Sequence, residues 1–392
     1  MQQKLVLDNS LFYTLCLIVP TITIFHASFN DIFQPLLLIF RAIVLPFAAY
    51  LVIFRHGNPF LIYILSIYIL IFGFGEFVYS NDKFLMNFIF LVSIVPMYRL
   101  GFISPDISNP VRLGRSLIYG SLILNIVIFS LFLLVFLGYV NLIDVYAIFD
   151  PARDAEKYGI SRFSIGNAIE VPLLSSMLCY AGQRLMPISG LVIVALLLNL
   201  ILAGISGSRI VILIAVTIMI SSAMRANSKL LFSILFTLFI YFMVSYWTFI
   251  GDFIQNIVDR FYGDDGGSGS DRFKLFKLTY SSMSVYGFIF GEGLTSSMQM
   301  MFEETDTYRT IEAFGLEVLY ELGILGLILF AANMIDGLSF KVITNTLFNI
   351  ILLLAWLQTL FFLPLNPLLP ITLFCIGVGT VKIDKNLEKS LS

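Results

Sequence analysis

The chain has 392 residues, of which 59% are apolar and 12% charged, with a formal net charge of -2. A soluble globular protein carries about 45–50% apolar and about 25% charged residues, so this composition excludes a water-soluble enzyme and equally a disordered chain. The charge balance also excludes the strongly basic surface of a nucleic-acid binder. What remains is an all-α polytopic membrane protein, read as a single integral domain over 1–392.

A helix crosses a bilayer with about 20 mostly apolar residues, and about 17 suffice. In chain order such runs predict spans near 10–26, 32–54, 59–75, 84–100, 115–139, 165–182, 188–204, 208–224, 229–250, 313–334, 341–363 and 366–382. The runs are continuously apolar rather than alternating, which predicts helices and not a barrel. The first run is read as a span and not a cleavable leader, because Lys4 precedes it and no small-x-small pattern follows before Asn30. Pro364, Asn366 and Pro367 predict a tight turn between the last two spans. Cys16, Cys179 and Cys375 lie in apolar runs with no CxxC spacing, and the only histidines are His26 and His56. Neither a disulfide framework nor a metal site is expected, and no cofactor is implied.

Lys and Arg in short loops set orientation. Lys4, Arg55, Arg99, Arg112, Arg115, Arg184, Arg225, Lys229, Lys341, Lys382, Lys385 and Lys389 then mark one side. That side is cytoplasmic, so about twelve spans run N-in and C-in. Two longer segments, 140–164 and 251–312, fall outside.

A loop of about 60 residues among short ones usually carries function or structure of its own. Segment 251–312 contains the acidic turn Gly263-Asp264-Asp265-Gly266-Gly267-Ser268-Gly269-Ser270. The turn lacks the alternating ligand spacing and terminal Glu of a calcium loop. Ser270 then predicts an N-cap with Asp271 in the first turn of a helix. Phe273, Phe276 and Tyr280 fall on one face and Lys274 and Lys277 on another, as in a helix lying on the membrane surface.

Glu303, Glu304 and Asp306 read as solvated loop surface, with Arg309 one turn before Glu312 at the outer mouth of the next span. Glu317 and Glu321 are spaced i, i+4 within that span. A carboxylate there faces the bundle interior or a wet cavity, because lipid exposure costs several kcal/mol.

Arginines recur at outer positions: Arg162, Arg209, Arg260, Arg272 and Arg309. Arg41 lies within the second span and is expected to point inward, either to an anion or to a structural pair with a carboxylate such as Glu317. Gly204-Ile205-Ser206-Gly207-Ser208-Arg209 makes an outer turn that opens a helix. Ser206 or Ser208 can cap it, and the terminal amides and dipole favour an anion. Arginine adds a forked donor that stays charged, which suits a diphosphate. The alternative for Arg209 is an interfacial arginine reaching to head groups. An anion site beneath two outer loops, with no nucleotide fingerprint, suggests a lipid-diphosphate substrate.

Taken together, these residues resemble the O-antigen polymerase and ligase family. Ser206-Gly207-Ser208-Arg209 is similar to the family's Ser-Arg element at the head of a span. Arg272, the helix after it and Phe290-Gly291-Glu292-Gly293 are similar to the Arg and Gly-x-Gly stretch of the large loop. Glu312 to Gly323 resembles the motif that opens the next span and ends in Glu-x-Gly, and Arg162 with Asn167 is a looser match. The ligases typically carry His-Asn at the head of that last motif, where this chain has Glu312-Ala313. This departure favours a repeat-unit polymerase of the Wzy type. The two-arginine loop spacing of some polymerases is absent.

The resemblance implies a GT-C-like fold and a metal-independent glycosyltransferase of the bacterial cytoplasmic (inner) membrane, its active site facing the periplasm or exterior. It would join undecaprenyl-diphosphate-linked repeat units into O-antigen or capsular polysaccharide. Arg209, Arg272 and Glu312 are the expected catalytic residues. Arg162, Arg309, Arg41, Ser208 and Glu317 are the expected substrate contacts. Membrane lipids, a chain-length-regulating co-polymerase and a flippase are the expected partners, and no nucleic acid. The alternatives are a ligase to lipid A-core and a lipid-linked oligosaccharide flippase or transporter. Against transport, no matching pair of Gly/Pro-broken spans is found.

Overall fold

The computed structural model describes residues 60–73, 88, 91, 94–101, 110–149, 170–206, 209–225, 237, 268–305, 314–337 and 368–380. Among these residues all regular structure is helical. The helices are α1 (Phe60–Phe72), α2 (Pro110–Phe136), α3 (Leu142–Phe149), α4 (Glu170–Leu185), α5 (Gly190–Ser206), α6 (Arg209–Arg225), α7 (Ser268–Ser282), α8 (Val285–Phe290), α9 (Ser296–Thr305), α10 (Phe314–Gly337) and α11 (Leu368–Thr380). Residues 94–101 are also helical.

The apolar runs near 59–75, 115–139, 165–182, 188–204, 208–224, 313–334 and 366–382 thus become α1, α2, α4, α5, α6, α10 and α11, with ends shifted by a few residues. Pro110–Phe136 and Gly315–Asn333 are long and apolar enough to cross a membrane. Phe60–Phe72, Gly190–Ser206 and Val211–Ala223 are shorter apolar helices. The expected spans 10–26, 32–54, 229–250 (residue 237 apart) and 341–363 lie outside the described residues.

Local chemistry sets several ends. Pro110 opens α2, where its missing N–H is no loss. Gly138 closes it with φ 77°. There the Tyr139 amide returns to Leu134 O at 2.9 Å and the Gly138 amide to Val135 O at 3.0 Å, the pairing of a left-handed C-terminal cap. Asn141 then accepts from the Ile143 amide at 3.1 Å and starts α3. A helix therefore occupies part of the segment 140–164 that sequence reads only as a loop.

One contiguous apolar core joins α1, the 94–101 helix, α2, α4, α5, α6, α10 and α11. The close pairs are joined by small residues and hydroxyls, as expected where lipid removes the hydrophobic difference between helix and surroundings. Gly114 of α2 and Gly182 of α4 bring two backbones together, since a Cβ on either would lie 2.8 Å from the other's carbonyl oxygen. Between the same helices Ser175 donates to Asn125 Oδ1 at 2.9 Å, and Ser121 and Ser175 are 3.0 Å apart. Asn199 of α5 donates to Ser176 of α4 at 3.1 Å, and Ser222 of α6 donates to Gln183 of α4. Each such bond contributes about 0.6 kcal/mol on average in a bilayer. Cys179 and Cys375 are buried free thiols.

Three helix ends meet at one edge of this core. Asn333 of α10 donates to Leu61 O of α1 at 3.0 Å, and Arg99 donates to Asn333 O at 3.3 Å. At the opposite end of α1, Gly73 O accepts from the Leu294 amide at 2.9 Å. α7, α8, the 291–295 turn and α9 pack over that second end, against α10. Met300, Met301 and Tyr320 form their small separate core, with Leu275, Leu278, Met283 and Leu316 against it.

Candidate functional site

α10 is not one continuous helix. Gly323 has φ 67° and ψ -176°, which splits it into Phe314–Leu322 and Ile324–Gly337. Such a break strands carbonyls at the end of the first half, and buried carbonyls require donors. The donors come from the Gly-x-Gly turn. The Glu292 amide donates to Tyr320 O at 2.9 Å and the Gly293 amide to Glu321 O at 3.1 Å. Tyr68 of α1 supplies the third. Its hydroxyl donates to Leu322 O at 2.7 Å and lies 3.1 Å from Phe290 O. The Gly326 amide is directed at the Tyr68 hydroxyl oxygen. The Tyr68 hydroxyl therefore sits inside the Leu322–Gly326 pair that an unbroken helix would close, a recognised cause of a kink.

Two glycines are required by this approach. Gly291 has φ 96°, and its Cβ would run into the carbonyl of Glu321. Gly323 is met from the other side by Ile289 O and the Gly291 amide. The Gly-x-Gly stretch 291–293 and the Glu-x-Gly stretch 321–323 are thus each other's packing partner. Phe72 of α1 stacks on Phe290 at 4.8 Å, and Tyr286 lies 4.9 Å from Phe290, which extends the contact across α1 and α8.

The two acidic residues of the clasp have defined work. Glu292 accepts from the Ser284 amide at 2.8 Å and the Ser284 hydroxyl at 3.0 Å, while the Ser284 hydroxyl caps α8 through the Gly287 amide. Glu321 is 2% exposed. It accepts from the Thr295 amide at 3.0 Å and the Ser297 hydroxyl at 2.6 Å, with the Ser297 amide directed at it as well. A carboxylate thus closes the N-terminus of α9, where amides and dipole favour negative charge. Thr295 holds this position at φ 72°, in the left-handed region that a β-branched residue rarely enters, and its own hydroxyl is buried without a hydrogen bond.

Of the residues expected to carry chemistry, Arg209 is the first residue of α6, as the turn at 204–209 predicts. Ser206 closes the preceding helix, its hydroxyl donating to Ala203 O at 2.8 Å. Arg272 lies in the first turns of α7, which begins at Ser268, two residues before the expected cap at Ser270. Glu317 is buried in the first half of α10, facing the protein as the i, i+4 spacing with Glu321 requires. Arg41, Arg162, Ser208, Arg309 and Glu312 lie outside the described residues.

On α7 the buried residue is Thr279, while Phe276 and Tyr280 are exposed. Among the described residues of segment 251–312 there are thus three helices where sequence shows one, with Phe276 and Tyr280 of the first turned to the surface. Sequence reasoning missed Tyr68, which sits 222 and 254 residues from its two partners. The cap at α9 left a visible trace, the Thr295-Ser296-Ser297 run after Gly293.

Residues 191–331, from α5 into the second half of α10, match the family model described as O-antigen ligase, Wzy_C. No curated protein and no solved structure matches. The matched stretch contains the Ser-Arg turn, Arg272, the Gly-x-Gly loop and the broken helix that receives it. Over residues 191–331 the chain is therefore similar to the O-antigen ligase and polymerase family.

Proposed function

We propose that this protein is the repeat-unit polymerase of that family. It would lengthen O-antigen or capsular polysaccharide from undecaprenyl-diphosphate-linked oligosaccharides at the outer face of the cytoplasmic membrane. The observation that carries the reading is the family match over 191–331, which spans all three residues assigned to the chemistry. The choice of polymerase over ligase rests on Glu312-Ala313, where the ligases' histidine is missing.

In this reaction the bond from the donor's anomeric carbon to the diphosphate breaks, and its electron pair leaves on the phosphate oxygen. A hydroxyl of the second lipid-linked unit forms the new bond and loses its proton. Arg209 and Arg272 would bind the departing diphosphate, because fixed cationic donors stabilise charge as it develops in a partly dry site. The helix start at Arg209 adds amides aligned with the dipole. Glu312 would take the acceptor's proton. Arg162, Arg309, Arg41, Ser208 and Glu317 would contribute contacts to the lipid-linked glycan. A chain-length regulator and a flippase would work beside it.

The test is the surface-glycan ladder of a strain lacking this gene, run beside the complemented strain. Core bearing one repeat unit with no ladder is the expected result. A second reading, the ligase, is favoured by the description of the matching family. It predicts no antigen on core and lipid-linked polymer accumulating on the outer face. The same material held on the inner face would point to a flippase.

A further inference from the structure

We infer that Glu321 is a positioning residue: its carboxylate holds the unit of α7, α8 and α9 on the broken face of α10, and it does not take part in proton transfer. The consequence for chain extension rests on the proposed polymerase reading, since Arg272 is carried on α7 of this unit. The physical argument does not.

A buried acid in the first half of α10, beside residues assigned to glycosyl transfer, invites assignment as a base. The geometry points elsewhere. The Ser297 hydroxyl, the Thr295 amide and the Ser297 amide are all aimed at this carboxylate. A carboxylate that accepts from a backbone amide and a hydroxyl at a helix start has the arrangement of a cap. Its own backbone carbonyl takes the Gly293 amide at 3.1 Å. Glu321 thus joins the turn twice, through its main chain to Gly293 and through its side chain to Thr295 and Ser297. Thr295 is strained at φ 72° to bring its amide to that carboxylate. Strain of this kind persists only where the surroundings over-determine it, and here the bond to Glu321 is the visible determinant. Tyr68 fastens the same turn from the α1 side, so the unit is gripped between two helices.

The experiment uses the full-length protein. Hydrogen exchange is read over 285–305 in lipid nanodiscs, with α4 and α5 as the internal standard, and the glycan ladder is read in the deletion strain. Glu321→Ala is expected to lower protection over 293–305 by tenfold or more and to shorten or remove the ladder. Glu321→Gln keeps an acceptor oxygen of the same shape but cannot ionise or take up a proton. A neutral bond is about half as strong as a charge-assisted one, so protection falls by only about threefold and the ladder is kept. A positioning role therefore ranks Gln close to wild type and far from Ala, whereas a base would make Gln as inactive as Ala. If Glu321→Gln keeps its protection and loses the ladder, the carboxylate acts chemically and the inference fails. It fails equally if Glu321→Ala leaves 293–305 protected. Should Glu321→Ala also lose protection in α4 and α5, Ser297→Ala decides: increased exchange confined to 293–305 upholds the clasp, and unchanged exchange overturns it. A wild-type ladder in the deletion strain would overturn the polymerase reading alone, because the exchange measurement stands without it.

Discussion

Two glycines with positive φ separate the cost of the backbone alone from that cost plus the clasp. Gly138 has φ 77° and Gly323 has φ 67°. An alanine at Gly138 enters the left-handed region at about 1–2 kcal/mol, and one at Gly323, where ψ is -176°, enters a region open essentially to glycine alone at about 1–3 kcal/mol. At Gly138 that is the whole cost, because nothing lies within 4 Å of the added Cβ. At Gly323 the Cβ meets Ile289 O and lies 2.6 Å from the Gly291 amide nitrogen. Both neighbours are backbone and cannot swing aside, so the 289–293 segment must lift from α10. Lifting breaks the bonds from Glu292 and Gly293 to Tyr320 O and Glu321 O. Each contributes about 0.5–1.5 kcal/mol net. The excess of Gly323→Ala over Gly138→Ala is therefore about 1–3 kcal/mol, or about 5- to 150-fold in local opening. Hydrogen exchange over 285–305, compared with α4, reads that factor directly. Equal exchange in the two variants would refute the docking of the Gly-x-Gly turn on the break in α10, and with it the structural account of both motifs.

Other expectations follow from the same geometry. Arg209→Ala and Arg272→Ala should each abolish the glycan ladder while the protein accumulates in the membrane at its normal level. The lysine variants should recover only part of the activity, because a point charge replaces a two-pronged donor, and a full ladder from either alanine variant removes that arginine from the site. Glu312→Gln should slow chain extension by roughly 10²–10⁴-fold, the range for a lost general base, and extension at the normal rate excludes the assignment. Thr295→Gly should stabilise α9 by about 1 kcal/mol, since it relieves the positive φ and removes an unpaired buried hydroxyl; weaker protection of 296–300 would show that the threonine side chain has a packing role. Gly114→Val should reduce the amount of inserted protein, because its Cβ lies 2.8 Å from Gly182 O and 3.0 Å from Leu185 Cβ. A normal yield of inserted Gly114→Val would mean that α2 and α4 do not approach so closely.

Much of this architecture is legible from composition and run length alone. An apolar run of span length can satisfy its backbone in lipid only as a helix, so α2, α5, α6 and α10 follow from local sequence with their ends nearly in place. The turn before Arg209 and the inward face shared by Glu317 and Glu321 follow from short-range spacing. The family motifs are equally visible, because they are contiguous. Their purpose is not, and the two Gly-bearing stretches read as separate loop and span signals until tertiary structure shows them closing on each other. No local rule predicts that Gly323 breaks a helix whose hydropathy is continuous. The break is stable only because Glu292, Gly293 and Tyr68 satisfy the carbonyls it exposes, and Tyr68 comes from a helix more than 200 residues earlier. Likewise Glu321 reads from its neighbours in sequence only as an acid on the inward face of a helix, and from its neighbours in space as a helix cap. Local spacing sets which groups share a helix face, while long-range packing sets what those groups meet, and the chemistry of a buried carboxylate is decided by what it meets.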